Sequence, residues 1–367
     1  MTHHLALIGF GTVGQALAEI LRERGKMLQK QGLDIQVNAV SDPLKGSLYH
    51  PEGLDLNLLL QAEKRGHLDF YPERDGLQRG WNSFKTIEDT DVDTVVEVSY
   101  TDIRTGQPAI DHCRRAFQSG KNVVMTNKGP VALAYHELSK MARDCGVDWK
   151  YEGTVMSGTP VIRTARSALV GNEITEIRGI FNGTTNYMLS QMEEGVRFSE
   201  ALESAQSLGM AEADPTSDIE GYDVLYKVMI LAQVVMGIPV DRDKVIRKGI
   251  RDLSPEMIRQ SLQEGKRWKM VGSIKKNGNE CQVAVQPVLL SLSDPLSGIG
   301  GAMNGVTFVC DLAGPITVVG AGAGRRETGY ALLSDLIHLI REEENDGIRG
   351  EETIIRQDAL ERREKVD

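Results

Sequence analysis

Short apolar runs alternate with amphipathic stretches over the first third of the chain. Four runs are typical of buried parallel strands: residues 5–8, 35–40, 94–98 and 122–125. Helical periodicity follows at Val13, Leu17, Ile20 and Leu21, and again over residues 108–118 and 133–143. Residues 43–81 are rich in glycine, proline and polar residues, which predicts an elaborated crossover with one short helix at 56–63. Strands that alternate with helices predict βαβ units around a parallel sheet.

The pattern changes after Val147. Periodicity now predicts helices at 161–170, 199–208, 222–236 and 327–340, and strands at 174–181, 282–290, 306–312 and 316–319. This mixture predicts a second, α+β domain for substrate binding and dimerisation, beside a Rossmann-type α/β domain with a doubly wound parallel sheet. The predicted boundaries are 1–150 for the nucleotide domain, 151–312 for the second domain, 313–340 for a segment returning to the nucleotide domain, and 341–367 for a charged tail. The composition of the tail is typical of a solvated helix or a partly disordered segment.

Composition and charge narrow the class of protein. The 367 residues are enough for about two domains. The net charge of −10 is spread along the chain, which argues against nucleic acid or an anionic membrane as the main partner. The four cysteines form no C-x-x-C pair and fit neither a disulfide framework nor a zinc site. Because a strand pattern begins at once and no apolar run is long enough to span a bilayer, we expect a cytoplasmic protein that acts on a small molecule.

A glycine motif follows the first predicted strand. Gly9, Gly11 and Gly14 match G-x-G-x-x-G and open the first amphipathic helix, which is the context that favours dinucleotide binding over an ordinary strand–helix turn. Gly9 allows a tight turn, Gly11 lets the backbone approach a pyrophosphate, and Gly14 lets the helix pack closely on the sheet. The N-terminus of the helix, at Thr12 and Val13, would face the phosphates.

Two further features bear on the cofactor. Asp42 ends the second predicted strand, where a carboxylate would accept from a ribose 2′-hydroxyl and repel a 2′-phosphate. This favours NAD, although Lys45 lies close enough in sequence to reverse the inference. A second glycine cluster, which contains Gly322, lies between a strand and the last helix at 320–324. It is either another turn that approaches an anion or a plain loop.

The candidate chemistry lies on the helix that begins near Tyr222. Asp223 and Lys227 are spaced i,i+4 and therefore share one helical face among apolar neighbours. A structural ion pair is one interpretation. However, Glu212, Asp214 and Asp218 crowd the same region, and such a density of carboxylates beside a lysine indicates a site for an ammonium group.

Four motifs occur in order with the glycine turn: MTNKGP at 125–130, EGTV at 152–155, GIFNGTTNY at 179–187 and GMAEADPTSDIEGYD at 209–223. Together they resemble homoserine dehydrogenase in its short form, without a C-terminal ACT domain. The resemblance implies reversible NAD(P)H-dependent reduction of L-aspartate 4-semialdehyde to L-homoserine, in the synthesis of threonine, isoleucine and methionine. It also implies a homodimer formed through the second domain.

The resemblance assigns roles residue by residue. Lys128 and Lys227 match the two active-site lysines, Glu212 and Asp223 match ligands of the substrate amino group, Asp218 matches a further polar contact, and Thr185 falls in a turn beside the substrate. A monovalent cation, Na⁺ or K⁺, would be bound through the backbone of Glu152, Val155, Ser157 and Thr159. The expected cofactor-binding positions are Gly9, Gly11, Thr12, Val13, Gly14, Asp42, Ser99, Lys128 and Gly322.

The residues suit this chemistry. A buried lysine can have its pKa lowered toward neutrality and then take a proton from an alcohol; Lys227 is the first candidate for this role and Lys128 the second. Two positions depart from the family: Met210 replaces the usual tyrosine, and Met156-Ser157 replaces paired small residues. Met210 leaves open a related dehydrogenase of another small amino or hydroxy acid. A non-catalytic NAD-binding sensor is the alternative from another class.

Overall fold

The first sheet has seven strands in the order β4-β3-β2-β1-β5-β6-β7. The computed structural model describes residues 2–277 and 280–364. The strands of this sheet are β1 Thr2–Ile8, β2 Asp34–Asp42, β3 Gly46–Tyr49, β4 Gln78–Arg79, β5 Thr94–Glu97, β6 Asn122–Met125 and β7 Trp149–Lys150. β1, β2, β5, β6 and β7 run parallel, whereas β3 and β4 add an antiparallel edge. From β1 the chain adds strands on one side of the sheet, β2 to β4, and then on the other side, β5 to β7. A ligand crevice is therefore expected at the carboxyl ends of the strands beside β1.

Five helices connect these strands: α1 Thr12–Lys30, α2 Leu56–Lys64, α3 Ser83–Asp89, α4 Ala109–Gln118 and α5 Lys128–Cys145. α1 buries Leu17, Ile20 and Leu21, the face that the sequence periodicity predicts. α5 begins at Lys128, earlier than the predicted 133, because Pro130 lies in the first turn, where a proline needs no amide hydrogen. The predicted doubly wound parallel sheet is confirmed.

The second sheet has six strands in the order β13-β12-β8-β10-β11-β9. Its strands are β8 Ile174–Ile180, β9 Ile246–Arg247, β10 Lys266–Asn277, β11 Glu280–Ser291, β12 Met303–Cys310 and β13 Gly314–Ala321. Its helices are α6 Val161–Arg163, continued by a wide turn to Ala168, then α7 Gly183–Glu193, α8 Phe198–Ser207, α9 Thr216–Ile219, α10 Tyr222–Val234 and α11 Pro255–Gln263. α10 packs against both α5 and β10, so every residue from Val224 to Val234 is buried.

Several elements of the two sheets and their helices were not predicted. β10 carries five lysines and arginines, so it has no clear apolar alternation, yet Lys269 on this strand is fully buried. α7 begins with Gly-Thr-Thr-Asn, which predicts a turn, but the side chain of Asn182 caps the helix by accepting from the Thr185 amide. α3, α11 and the short strands β3, β4, β7 and β9 were also missed, because such short elements carry little periodicity.

The last helix, α12 Arg325–Glu364, returns to the first sheet. Its residues Leu332, Leu336 and Leu339 share a buried cluster with Leu17 of α1. Arg326 of α12 and Glu23 of α1 form an ion pair at 2.6 Å. The backbone of α12 is helical through Glu364, and residues 365–367 of the predicted tail lie outside the described residues. The exact domain boundaries stay a prediction. Every helix within the described part of the chain is too short or too polar to cross a lipid bilayer.

Candidate active site

The glycine turn between β1 and α1 leaves room for a ligand at one position only. Gly9 has φ +102°, and a Cβ there would lie 2.5 Å from the Val98 carbonyl oxygen. A Cβ on Gly14 would lie 2.6 Å from the Gly9 carbonyl oxygen, so the chain itself fills both positions. A Cβ on Gly11, by contrast, would have no heavy atom within 4 Å. A bulky anion can therefore approach the backbone at Gly11 and the N-terminus of α1, as a pyrophosphate requires.

Asp42 joins the end of β2 to this turn. Its Oδ2 accepts from the Phe10 amide at 2.8 Å, and its Oδ1 accepts from the Leu44 and Lys45 amides at 2.9 and 3.1 Å. The Lys45 ammonium is engaged too, because it donates to Glu63 at 2.7 Å and to the Phe10 carbonyl at 3.1 Å. Two carboxylates and one paired lysine thus surround the position expected for the adenine ribose.

One cavity of about 640 Å³ connects the glycine turn with the predicted catalytic residues. Its walls come from α1, from the N-termini of α5 and α7, from α10 and from the glycine cluster before α12. The lining includes these sequence-predicted residues: Val13, Lys128, Ser157, Asp218, Asp223, Lys227 and Gly322. The structure therefore brings the second glycine cluster to the same site as the first.

Two lysines meet one carboxylate on the cavity wall. Lys227 Nζ donates to Asp223 Oδ2 at 2.7 Å and to the Phe181 carbonyl at 2.5 Å, while Lys128 Nζ lies 3.4 Å from Asp223 Oδ1. Burial alone would raise the pKa of Asp223, but the charges of Lys227 and Lys128 outweigh it and hold the pKa below its ordinary range. Burial lowers the pKa of Lys227, and the positive charge of Lys128 lowers it further. The negative charge of Asp223 opposes both effects. Lys227 thus has the environment that proton transfer requires.

Asn182, which was not predicted as a site residue, organises the carboxylates. Its Oδ1 accepts from the amide and the hydroxyl of Thr185 at 2.8 and 2.9 Å, so its Nδ2 must face the other way. Nδ2 donates to Asp218 at 2.6 Å and to Asp223 at 3.0 Å. The pKa of Asp218 is raised, chiefly by burial. An asparagine that precedes Gly-Thr-Thr is a helix N-cap signal, and this signal could have found it.

Two predicted substrate ligands lie off the cavity wall. Thr185 is fully buried, and its hydroxyl is engaged by Asn182 instead of facing the cavity. The neighbouring Thr184 lies on the wall instead, where its hydroxyl donates to the Met210 carbonyl at 2.8 Å. Glu212 is exposed and is not part of the cavity lining, although Met210, two residues earlier in the chain, is part of it. Met210 stands where the family usually has tyrosine.

A fully buried carboxylate connects Ser99 with the start of α5. Glu97 accepts from His112 Nδ1 at 3.1 Å, from the Ser99 amide at 3.3 Å and from the Asn127 side-chain amide. Ser99 adjoins the glycine turn, since its amide nitrogen would be 2.7 Å from a Cβ on Gly9. Asn127 immediately precedes Lys128. The Glu97 side chain therefore fixes the position of the predicted cofactor residue Ser99 relative to the start of α5, where the catalytic candidate Lys128 lies.

The loop proposed to bind a cation has an unusual backbone. Met156 and Ser157 have φ of 58° and 52°, the left-handed region that residues with side chains rarely adopt. Val155 and Ser157 are buried, yet their carbonyls accept no hydrogen bond from any residue between 2 and 277 or 280 and 364. The Glu152 carboxylate accepts from the Ile162 and Arg163 amides at 2.8 Å, and the Thr159 hydroxyl donates to the Ala321 carbonyl at 2.9 Å. Within the described residues, no three His, Cys, Asp or Glu side chains are grouped as a metal site.

A dinucleotide turn and a lysine–carboxylate cluster on the walls of one cavity define a nicotinamide-dependent oxidoreductase of alcohols or carbonyls. The family model for homoserine dehydrogenase matches residues 160–337. An NAD(+)-dependent homoserine dehydrogenase of Pseudomonas canavaninivorans is 43% identical over 92% of this chain and 96% of its own length. This chain belongs to the homoserine dehydrogenase family.

Solved structures agree with this assignment. The homoserine dehydrogenase of Thiobacillus denitrificans has a TM-score of 0.81 and 32% identity, over 94% of this chain and 75% of that one. A hyperthermophilic archaeal homoserine dehydrogenase in complex with NADPH has a TM-score of 0.79 and 29% identity, over 93% of this chain and 98% of that one. The relatives' names thus include both an NAD(+)-dependent enzyme and an NADPH complex.

Proposed function

We propose that this chain catalyses the reversible oxidation of L-homoserine to L-aspartate 4-semialdehyde with NAD(P), in the synthesis of threonine, isoleucine and methionine. The observation that carries the proposal is the cluster of Lys128, Asp223 and Lys227 on the wall of a cavity that also contains Val13 and Gly322. A single cavity can therefore hold an amino-acid substrate next to the nicotinamide end of the cofactor. The nicotinamide, when bound, supplies the hydride chemistry.

The chain's own residues supply binding and proton transfer. Lys227, with its pKa lowered by burial, takes the hydroxyl proton in oxidation and returns it in reduction. Asp218 and Asp223 both accept hydrogen bonds from the Asn182 side-chain amide, which holds the two carboxylates side by side. Together they bind the substrate ammonium. Glu212, which is exposed and outside the lining, is proposed as a further ammonium ligand, and Lys128 as the second cation that polarises the carbonyl.

The surroundings of Asp42 support a preference for NAD over NADP. A 2′-phosphate at the adenine ribose would meet the carboxylates of Asp42 and Glu63, and Lys45 is already paired with Glu63. Like charges oppose phosphate binding. A ribose 2′-hydroxyl, by contrast, can donate to Asp42.

Three further parts of the proposal concern assembly and location. A monovalent cation would be bound by the carbonyls of the buried residues Val155 and Ser157, which have no hydrogen-bond partner in the described part of the chain, with Glu152 and Thr159 as the family's other positions. A homodimer would form through the second sheet, which carries exposed apolar side chains such as Met303 and Val319. An enzyme of amino-acid biosynthesis would act in the cytoplasm.

The test is hydride transfer from L-homoserine to NAD and to NADP, measured side by side by the absorbance of the reduced cofactor. A panel of other small hydroxy acids and hydroxy amino acids forms the control, because Met210 leaves one hydroxyl contact of the family missing. We expect L-homoserine to have the highest kcat/KM and NAD to be preferred. Turnover of another substrate at higher kcat/KM would indicate a related dehydrogenase, and absence of turnover would favour a sensor.

A further inference from the structure

Asn304 is a buried polar residue without hydrogen-bond partners. It lies near the start of β12, opposite Gly320 of β13, and is fully buried. Neither its Nδ2 nor its Oδ1 has a partner among the residues that the structure describes. A buried amide in this state is destabilising, because it loses its bonds to water and gains none in the protein. Native proteins rarely keep such a group unless a ligand or another state of the protein satisfies it.

The amide points toward the wall of the active-site cavity. A Cβ built on Gly322 would lie 2.0 Å from Asn304 Nδ2, and a Cβ built on Gly183 would lie 3.6 Å from Oδ1. Both glycines line the cavity, as does Ala302. The amide therefore lies beside two cavity-lining residues that have no side chains. Any side chain at position 322 would occupy the space of the amide.

A neighbouring asparagine shows that the surroundings can satisfy such a group. Asn186 is fully buried in the same part of the fold. Its Nδ2 donates to the carbonyls of Ile299 and Met303 at 3.2 and 2.9 Å, and its Oδ1 accepts from Lys269 Nζ at 3.2 Å. Asn304, behind the two cavity glycines, therefore lacks the hydrogen-bond partners that the nearby Asn186 has.

The position corresponds to the nicotinamide end of the cofactor. If the turn at Gly11 holds the pyrophosphate and Lys227 faces the reacting hydroxyl, the nicotinamide must lie between them, along the wall that contains Gly183 and Gly322. Its carboxamide offers one carbonyl acceptor and one NH₂ donor, which are complementary to an asparagine amide. We propose that Asn304 binds the nicotinamide carboxamide between Gly183 and Gly322 when the backbone at Gly322 moves aside. Glycine at 322 allows the small backbone shift that this contact needs. This inference rests on the proposed use of NAD(P).

The test compares Asn304→Leu with Asn186→Leu as the matched control. Leucine has the same number of side-chain heavy atoms as asparagine but none of them is polar, so N304L should leave the unfolding temperature of the cofactor-free protein unchanged or higher. N186L removes satisfied hydrogen bonds and leaves their partners unpaired, so it should lower that temperature. A fall for N304L as large as that for N186L, or failure of N304L to fold, would overturn the proposal.

Binding to the substrate-free protein, measured by calorimetry, tests the ligand. N304L should weaken NAD about ten- to hundredfold. It should leave ADP-ribose, which lacks the nicotinamide, unchanged. Wild type should bind NAD more tightly than 3-acetylpyridine adenine dinucleotide, which lacks the NH₂ donor, and N304L should lose this preference.

Unchanged NAD affinity in N304L, equal losses for NAD and ADP-ribose, or no analogue preference in wild type would each refute the contact. Failure of the wild type to bind NAD or NADP at all would instead refute the proposed function.

Discussion

Replacing Lys227 with methionine separates the catalytic role of the ammonium from its structural role. Methionine keeps the apolar stem that packs inside α10 but cannot transfer a proton. Loss of general acid–base catalysis typically lowers kcat by about 10²–10⁴-fold. That range corresponds to about 3–5 kcal/mol of activation free energy. We expect a loss of this size in both directions of the reaction, with little change in cofactor affinity, because Lys227 lies at the substrate end of the cavity.

The effect on stability can be worked out from the contacts of Asp223. Removing one partner of a buried ion pair typically costs about 3–5 kcal/mol, because a charge is left without compensation. Asp223 would keep Lys128 at 3.4 Å and the Asn182 amide at 3.0 Å. We therefore expect the free energy of unfolding to fall by no more than about 3 kcal/mol. The folded variant can then be assayed.

The assay follows reduced cofactor during homoserine oxidation, beside urea unfolding and cofactor titration of the same preparations. The double variant Lys227→Met, Asp223→Asn serves as the control. It removes the uncompensated charge and should recover stability without recovering turnover. The reasoning would be refuted if the single variant kept kcat within a few-fold of wild type, or if the double variant restored activity along with stability.

Three further predictions concern pH, cofactor choice and assembly. Homoserine oxidation needs neutral Lys227, so kcat/KM should rise with pH through its pKa, which burial places below the ordinary 10.5. Asp223→Asn removes a charge that favours the ammonium and should move this rise to lower pH; a shift to higher pH would contradict the assignment. Asp42→Asn should lower the NAD-to-NADP ratio of kcat/KM about tenfold, and an unchanged ratio would limit Asp42 to its backbone contacts. Light scattering at micromolar concentration should give twice the mass of the chain, and the mass of one chain would exclude the homodimer.

The fold could be predicted wherever burial leaves a clear pattern in the sequence. The parallel strands of the first sheet are continuous apolar runs, and α10 is apolar on all sides because both of its faces are covered. β10 escaped prediction because Lys269 occupies a core position there, and its charge masks the alternation. Its ammonium is accommodated by Asn186 and the Ile299 carbonyl, partners that no local window of sequence contains.

The site could be predicted only where its residues are close in sequence or lie in motifs. The i,i+4 spacing indicated Asp223 and Lys227 directly, and the resemblance added Lys128. The role of Asn304 could not be predicted, because Gly183 and Gly322 approach it from two different elements. In the same way, Thr184 and Thr185 are indistinguishable in the sequence. Only the start of α7 decides which of the two hydroxyls faces the cavity.

The return of α12 to the first sheet makes the nucleotide-binding unit discontinuous along the chain. Leu332, Leu336 and Leu339 complete a core whose other members, such as Leu17, come from the first elements of the sheet and are synthesised earlier. Domains usually fold on the ribosome in the order of their synthesis. Here the side of α1 that α12 covers has no partner until α12 has been synthesised, while the elements of the second sheet, which come earlier in the chain, can already associate. The core of the first sheet is therefore begun before the second sheet and completed after it.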